Sequence, residues 1–320
     1  MECPFQEVIP EEAVQGFFKI SDSLGFVGLR IKVSMRLFIF FIFLFTSSIS
    51  YAQLRLGVFA GISNYQGDVV QTANVLRFSK PAFGVTGNYE ISERVTLRGG
   101  LTLAKIAGDD KYNVESVRFR NLNFQSKITE ASLIGEFNVF NVNNIKWSPY
   151  LFAGVAAFHF NPYTIDNSGN KVFLKPLSTE GQGLPGYAKP YSLTQLSIPF
   201  GGGIKYSINE TTSIGLEVGL RKLLTDFIDD VSTNYADEAD LFAAKGRQAV
   251  DLSYREDELP GGNLSYPSKG SQRGLAVRKD WYYLTGLHLT FDLFNDKKGK
   301  RYFLSGKLEK KGYGCPTVPL

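Results

Sequence analysis

The sequence predicts an all-β protein, an eight-stranded antiparallel up-and-down transmembrane β-barrel with long extracellular loops. Three observations carry this. Beyond residue 53, eight segments have strand-like period-2 alternation, seven of them cleanly. Their connections alternate in length. The second, fourth and sixth are short (92–94, 141–148 and 209–212), whereas the first, third, fifth and seventh are long (about 64–80, 108–123, 161–193 and 225–280). A barrel crossing an outer membrane sorts its connections this way, with tight periplasmic turns and longer loops outside. Finally, mean hydropathy is only −0.09, yet aromatics reach 14% and glycines number 32. Only every second residue of such a strand meets lipid, so no long apolar run forms.

The strands follow in order. The first, 54–62, places Leu54, Leu56, Val58, Ala60 and Ile62 on one face and Arg55, Gly57, Phe59 and Gly61 on the other. The second, 82–91, sets Phe83, Val85, Tyr89 and Ile91 against Thr86, Asn88 and Glu90. The third, 95–105, sets Val95, Leu97, Leu101 and Leu103 against Thr96, Arg98 and Thr102, and the fourth, 127–140, sets Leu133, Phe137 and Val139 against Glu130, Ser132, Glu136 and Asn138. The fifth, 149–160, is apolar on both faces, so alternation leaves its facing open. The sixth, 196–208, turns Leu196, Ile198, Phe200, Ile204, Tyr206 and Ile208 outward over Gln195, Ser197, Gly201, Gly203, Lys205 and Ser207. The seventh, 214–224, faces Ile214, Leu216, Val218 and Leu220 outward with Glu217 and Arg221 inward. The eighth, 281–293, faces Leu287, Leu289, Phe291 and Leu293 outward over His288, Thr290 and Asp292. Each is long enough for the roughly 9–11 residues that a tilted membrane strand needs.

The front of the chain is consistent with export. Met35-Arg36, the apolar run 37–45 and the small-polar stretch 46–50 lead to Ser50-Tyr51-Ala52, an A-x-A-like site. Residues 35–52 therefore read as a signal peptide, with Gln53 as mature start. Residues 1–34 lie upstream of it and read as a start assigned too early. The barrel occupies 53–294 and a tail 295–320. Cys315 is the one cysteine beyond the leader, which leaves no intramolecular disulfide and no zinc-type spacing.

Charge locates a second feature. From 53 to 294, Lys and Arg balance Asp and Glu at 24 each, while the tail holds seven basic and two acidic side chains. A neutral body with a basic tail is not a nucleic-acid-binding profile. The tail reads as a docking segment or a patch for anionic surfaces, against the plainer reading of a solvated end. Lys297, Lys298, Lys300, Arg301, Lys307, Lys310 and Lys311 supply the charge, and Tyr302, Phe303 and Leu304 an apolar anchor.

Inward charges come next. Arg98, Glu130, Glu136, Lys205, Glu217, Arg221 and Asp292 all point into the bore. Eight strands make an interior that side chains fill, and buried charges there must be paired. Three bases and four acids allow this, with Gly57, Gly61, Gly201 and Gly203 leaving room. The expectation is a plugged, non-conducting lumen, with a charged permeation path as the alternative. Chemistry is thin. Gly201-Gly202-Gly203 opens no helix, so it is no phosphate cradle, and neither His159 nor His288 accompanies a nucleophile motif. No residue pattern implies a cofactor. Asp226, Asp229, Asp230 and Asp237 lack EF-hand spacing, so a possible cation loop competes with a solvated loop. Trp147, Tyr150, Trp281, Tyr282 and Tyr283 lie near strand ends, where aromatic girdles sit.

Five segments in order carry a family resemblance: SNYQGDV (63–69), RNLNF (120–124), TEGQGL (179–184), DFIDDVSTNY (226–235) and YGCP (313–316). Together they resemble the PorG-like outer-membrane barrels of Bacteroidota, over about 54–316. The resemblance implies an integral outer-membrane component of the type IX secretion system, attached to a periplasmic ring built from a lipoprotein and its partner. Two functions are expected to compete. One is a non-enzymatic barrel that sits in outer-membrane lipid and docks this ring through its periplasmic tail. The other is a surface receptor or adhesin acting through its outer loops, where a helix-compatible stretch lies near 236–249.

Overall fold

Alternation of apolar and small or polar residues turns one face of each strand outward and the other into a shared interior. In the computed structural model eight such strands close on themselves. The structure describes residues 54–71, 76–140, 145–209 and 211–292. The chain divides into two units, Met1–Tyr51 and Ala52–Leu320, and everything described belongs to the second. The predicted leader and the basic tail, with Lys297, Lys298, Lys300, Arg301, Tyr302, Phe303, Lys310 and Lys311, lie outside the described residues.

The strands are β1 (Leu54–Gln66), β2 (Lys80–Glu90), β3 (Val95–Asp109), β4 (Asn123–Asn138), β5 (Trp147–Ile165), the short β6 (Lys171–Phe173), β7 (Thr194–Ser207), β8 (Thr212–Leu223) and β9 (Trp281–Asp292). All except β6 join one antiparallel ring, in which β4 pairs with β5, β5 with β7, and β1 closes on β9. The closing seam runs from Arg55 opposite Asp292 to Gln66 opposite Trp281. β6 lies outside the ring as a three-residue flap on the end of β5.

Facing follows the predicted parity. Leu101, Leu103, Leu133, Leu196, Leu216 and Leu287 are exposed on the outside, while Arg98, Glu130, Glu136 and Glu217 are buried within. The facing of β5 is now resolved: Leu151 and Val155 are 64% and 63% exposed, and Phe152, Phe158 and Phe160 point inward.

Strand bounds differ from expectation at one end. β3 runs on to Asp109, β4 starts at Asn123 and β5 continues to Ile165. These extensions pair backbone to backbone above the apolar band, where alternation is no longer imposed. The short connections 91–94, 139–146 and 208–211 share one end of the barrel. The chain also enters at Leu54 and leaves at Asp292 there. The opposite end carries the long connections and three helices: α1 (Glu115–Arg118), α2 (Glu238–Lys245) and α3 (Arg247–Ser253). Asp237 accepts from Ala239 N and Asp240 N at the start of α2, and Gly246, at φ 81°, separates α2 from α3. No helix among the described residues is long and apolar enough to cross a membrane, which says nothing of the strands.

Candidate functional site

Inward positions on neighbouring strands stack into three tiers of charge. In the middle tier Arg98 donates to both oxygens of Glu217, Nη1 at 2.6 Å and Nη2 at 3.2 Å, and the Tyr150 hydroxyl donates to the same carboxylate at 2.9 Å. Lys205 pairs with Glu136, whose second oxygen lies 3.8 Å from Arg98. Arg98 has only donors, so the 3.3 Å contact makes His288 Nδ1 an acceptor; Nε2 then donates to Thr86 Oγ1 at 2.8 Å.

Above it, Arg221 donates to Glu130 through Nε at 3.2 Å and Nη2 at 3.3 Å, and Tyr282 donates to the same carboxylate. The lowest tier joins Arg55 to Glu90 at 3.1 Å and to Asp292 at 4.0 Å. Asp292 is thus separate from the other six predicted charges, and its partners Arg55 and Glu90 were missing from the set. Both already stood on inward parity, which was the one signal the sequence held for them; the pairing itself follows from the β1–β2 and β1–β9 registers.

Small residues make this packing possible. A Cβ on Gly219 would come within 2.1 Å of Arg221 Nη1, and one on Gly57 within 2.6 Å of His288 Nε2. A cavity of about 20 Å³ remains between the upper tiers, lined by Arg98, Glu217, Arg221 and His288, which is space for about one water. Over the tiers lies an aromatic stack: Phe160 on Tyr191 at 6.1 Å, and Tyr191 on Phe227 at 4.8 Å, both nearly parallel. Ion pairs and rings together fill the bore.

The loops then meet in a second, separate cluster. Arg120 grips Asp110 at 2.8 and 3.1 Å and donates to Asp68 O at 2.9 Å. Arg273 donates through Nη1 to Glu180 at 3.0 Å and to Asp230 O at 2.7 Å, while Glu180 accepts from Ser232 N and Thr233 N. Asp230, a non-glycine residue at φ 67°, accepts from Thr179 and Tyr191, each at 2.6 Å. Tyr65 donates to Asp229. Four of the five family-like segments therefore converge on one network: Tyr65 and Asp68 from the first, Arg120 from the second, Thr179 and Glu180 from the third, Asp229 and Asp230 from the fourth. YGCP lies outside the described residues.

This corrects the reading of the acidic loop. Asp226, Asp229 and Asp230 are only 2%, 1% and 0% exposed, so the loop is no solvated one. Nor do they cluster as a cation loop. Among the described residues Asp226 Oδ2 accepts from Ser232 while its Oδ1 is buried without a partner, Asp229 accepts from Tyr65 and Asp230 from Thr179 and Tyr191, and no carboxylate cluster has metal-holding geometry. Asp237 is spent on capping α2.

Burial, reinforced by neighbouring carboxylates, raises the carboxyls of Asp229 and Asp280 well above the ordinary range. Burial also lifts Asp226 to about 7, and Asp230 and Asp110 to about 6.

Other candidates resolve individually. Tyr150 and Tyr282 do not belong to a girdle; both are buried and serve lumen carboxylates. Trp147 is exposed and Trp281 half-buried on the outer face. His159 is also on the outside, with Thr194 Oγ1 at 3.1 Å as its partner, and Gly201-Gly202-Gly203 runs within β7.

An apolar exterior, a closed antiparallel ring and a filled bore define a small transmembrane β-barrel. A family described as a domain of unknown function (DUF6089) matches residues 35–180, somewhat less than half of the chain. No curated relative matches. Solved structures similar to it include Neisserial surface protein A, at 8% identity over 75% of this chain and 96% of that one, with a TM-score of 0.36. OprG from Pseudomonas aeruginosa is 12% identical over 75% and 97%, TM-score 0.35. Ail of Yersinia pestis is 10% identical over 75% and 99%, TM-score 0.33. The fold class rests on the chain's own strand pairing.

Proposed function

We propose that this barrel is a non-enzymatic anchor in the outer membrane that docks a periplasmic complex of the type IX secretion system. The observation that carries the anchoring part is the filled lumen. Three tiers of ion pairs under an aromatic stack occupy the bore, which supports a barrel that acts through its surfaces. The secretion system enters through the family-like segments, four of which lock the loop cap.

The docking side is the short-turn end. Both ends of the barrel segment emerge there, and an even number of strands requires it. A basic tail that follows Asp292 therefore starts on the same side as the signal-peptide end, and that side is read as periplasmic because membrane barrels of this kind keep their short turns there. Tail charge would speed association and orient the partner, with an effect that weakens as salt rises. Tyr302, Phe303 and Leu304 would supply the small apolar contact.

Truncation after Asn295 tests this. The barrel is expected to insert normally, while co-purification of the ring lipoprotein and its partner weakens and type IX export falls. Normal complex recovery and secretion would refute tail docking.

A receptor or adhesin role is supported by a different observation: the loop cap is a built structure that presents Phe242, Leu264 and Val277 to solvent at 53%, 83% and 88% exposure. Replacing Phe242, Leu264 and Val277 with serine would abolish surface binding on that reading and leave secretion intact.

A further inference from the structure

On the outside of the barrel, where the lipid-facing band ends, one strand set carries a basic patch. The outward positions of β3 run Val95, Leu97, Gly99, Leu101, Leu103, and then Lys105. Ten residues of tilted strand rise roughly 25 Å, the height of a membrane barrel's apolar band. Lys105 thus stands at headgroup level, directly above Leu103, which is 62% exposed.

Register then places Lys127 of β4 directly opposite Lys105. Like charges facing each other across a strand pair destabilise it, and no carboxylate among the described residues offsets them: Lys105, Lys127 and Lys171 form no ion pair there, and Asp109, further up β3, is held by Lys111 at 3.0 Å.

The flap β6 completes the patch. It brings Lys171 Nζ to 4.0 Å from the Tyr163 ring centroid and 4.5 Å from that of Phe173, while Lys105 Nζ lies 5.9 Å from the same Tyr163 ring. The Tyr163 hydroxyl is itself held by Gln125 at 3.1 Å. A fixed aromatic therefore gathers two ammonium groups, with a third on the adjoining strand. The extension of β5 past the lipid band and the short β6 on its end thus carry Tyr163 and Lys171 to this level.

We propose that Lys105, Lys127 and Lys171, arranged around Tyr163, bind the phosphomonoester headgroup of a membrane lipid in the leaflet at the long-loop end. The oxygens of one phosphomonoester would be shared among these ammonium groups, offsetting the repulsion between Lys105 and Lys127. The lipid's acyl chains would then lie along Leu103, Leu101 and Leu133 below. A membrane lipid is favoured over a free anion because the patch sits on the outer wall, continuous with that apolar surface. The inference rests on the membrane-barrel reading but needs no secretion partner.

The test uses the full barrel in detergent, with native mass spectrometry and titration against diphosphorylated lipid A, dephosphorylated lipid A and inorganic phosphate. Wild type is expected to retain the phosphorylated lipid at least about ten times more tightly than the dephosphorylated one, with the preference falling as salt rises. K105Q/K127Q/K171Q should lose that preference, and K189Q/K245Q should keep it. Equal binding of both lipids by wild type would overturn the proposal, as would an unchanged preference in the triple variant. Displacement by inorganic phosphate at comparable concentration would mean a free-anion site and would also overturn it. If the triple variant does not fold, K127Q alone is read in the same titration, and a preference equal to wild type sinks the idea. Failure of the wild-type barrel to insert into vesicles would count against the membrane reading instead.

Discussion

Removing the Glu217 carboxylate should damage the barrel more than removing the ion pair to which it belongs. Glu217 is 4% exposed and accepts three hydrogen bonds, two from Arg98 and one from Tyr150. In Glu217→Ala, Arg98 keeps Glu136 as its nearest carboxylate, at 3.8 Å, beyond hydrogen-bond range. Breaking a buried pair by removing one partner costs about 3–5 kcal/mol, and the distant Glu136 offsets only part of it. At 1.4 kcal/mol per tenfold, the folded-to-unfolded ratio falls by roughly two to four orders of magnitude. Arg98→Ala strands Glu217 and should cost a similar amount. Arg98→Met with Glu217→Leu removes both charges while keeping volume, and should recover most of the loss. Urea titration of the reconstituted barrel reads these values, with the exterior Trp147 and Trp281 as the two fluorescent reporters. Single changes costing under about 1 kcal/mol, or a double change costing their sum, would refute the claim that the tier works as a paired unit.

Three further outcomes follow from the same geometry. In planar bilayers the purified barrel should carry no ohmic current, because the tiers fill a bore that eight strands make narrow; stable single-barrel conductance would revive a permeation path. On the lipid face, Val155→Lys and Val218→Lys should each cost roughly 2–4 kcal/mol if those positions lie near mid-membrane, and a vesicle-reconstituted urea titration showing no loss would refute the facing. The loop cap should loosen as pH rises. A carboxyl raised in the folded state stabilises fully below its unfolded value and loses that contribution as pH climbs through its folded one. With Asp230 and Asp110 at about 6 and Asp226 at about 7, hydrogen-exchange protection of 226–280 should fall between about pH 4 and 7. Asp226→Asn should flatten the upper part of that profile, and protection that rises with pH would refute it.

What the sequence determined by itself is the part governed by short-range geometry. Period-2 alternation placed Leu103 outside and Arg98 inside before any strand was paired, since successive side chains must point to opposite faces. The parity of connection lengths likewise separated the ends of the barrel. Tertiary structure decided everything that depends on partners distant in sequence. β5 reads as apolar on both faces because its inner face packs the aromatic plug, with Phe158 against Tyr282 and Phe160 against Tyr191. Locally that face looks the same as one meeting lipid. Asp229 and Asp230 read as solvated because their partners Tyr65, Tyr191 and Thr179 lie 164, 39 and 51 residues away. Arg55 met Glu90 through the β1–β2 pairing and Asp292 only when the ring closed, because pairing register sets which residues stand opposite one another. Alternation is a property of one strand, whereas pairing of buried charge is a property of register across several, and only the assembled barrel has a register.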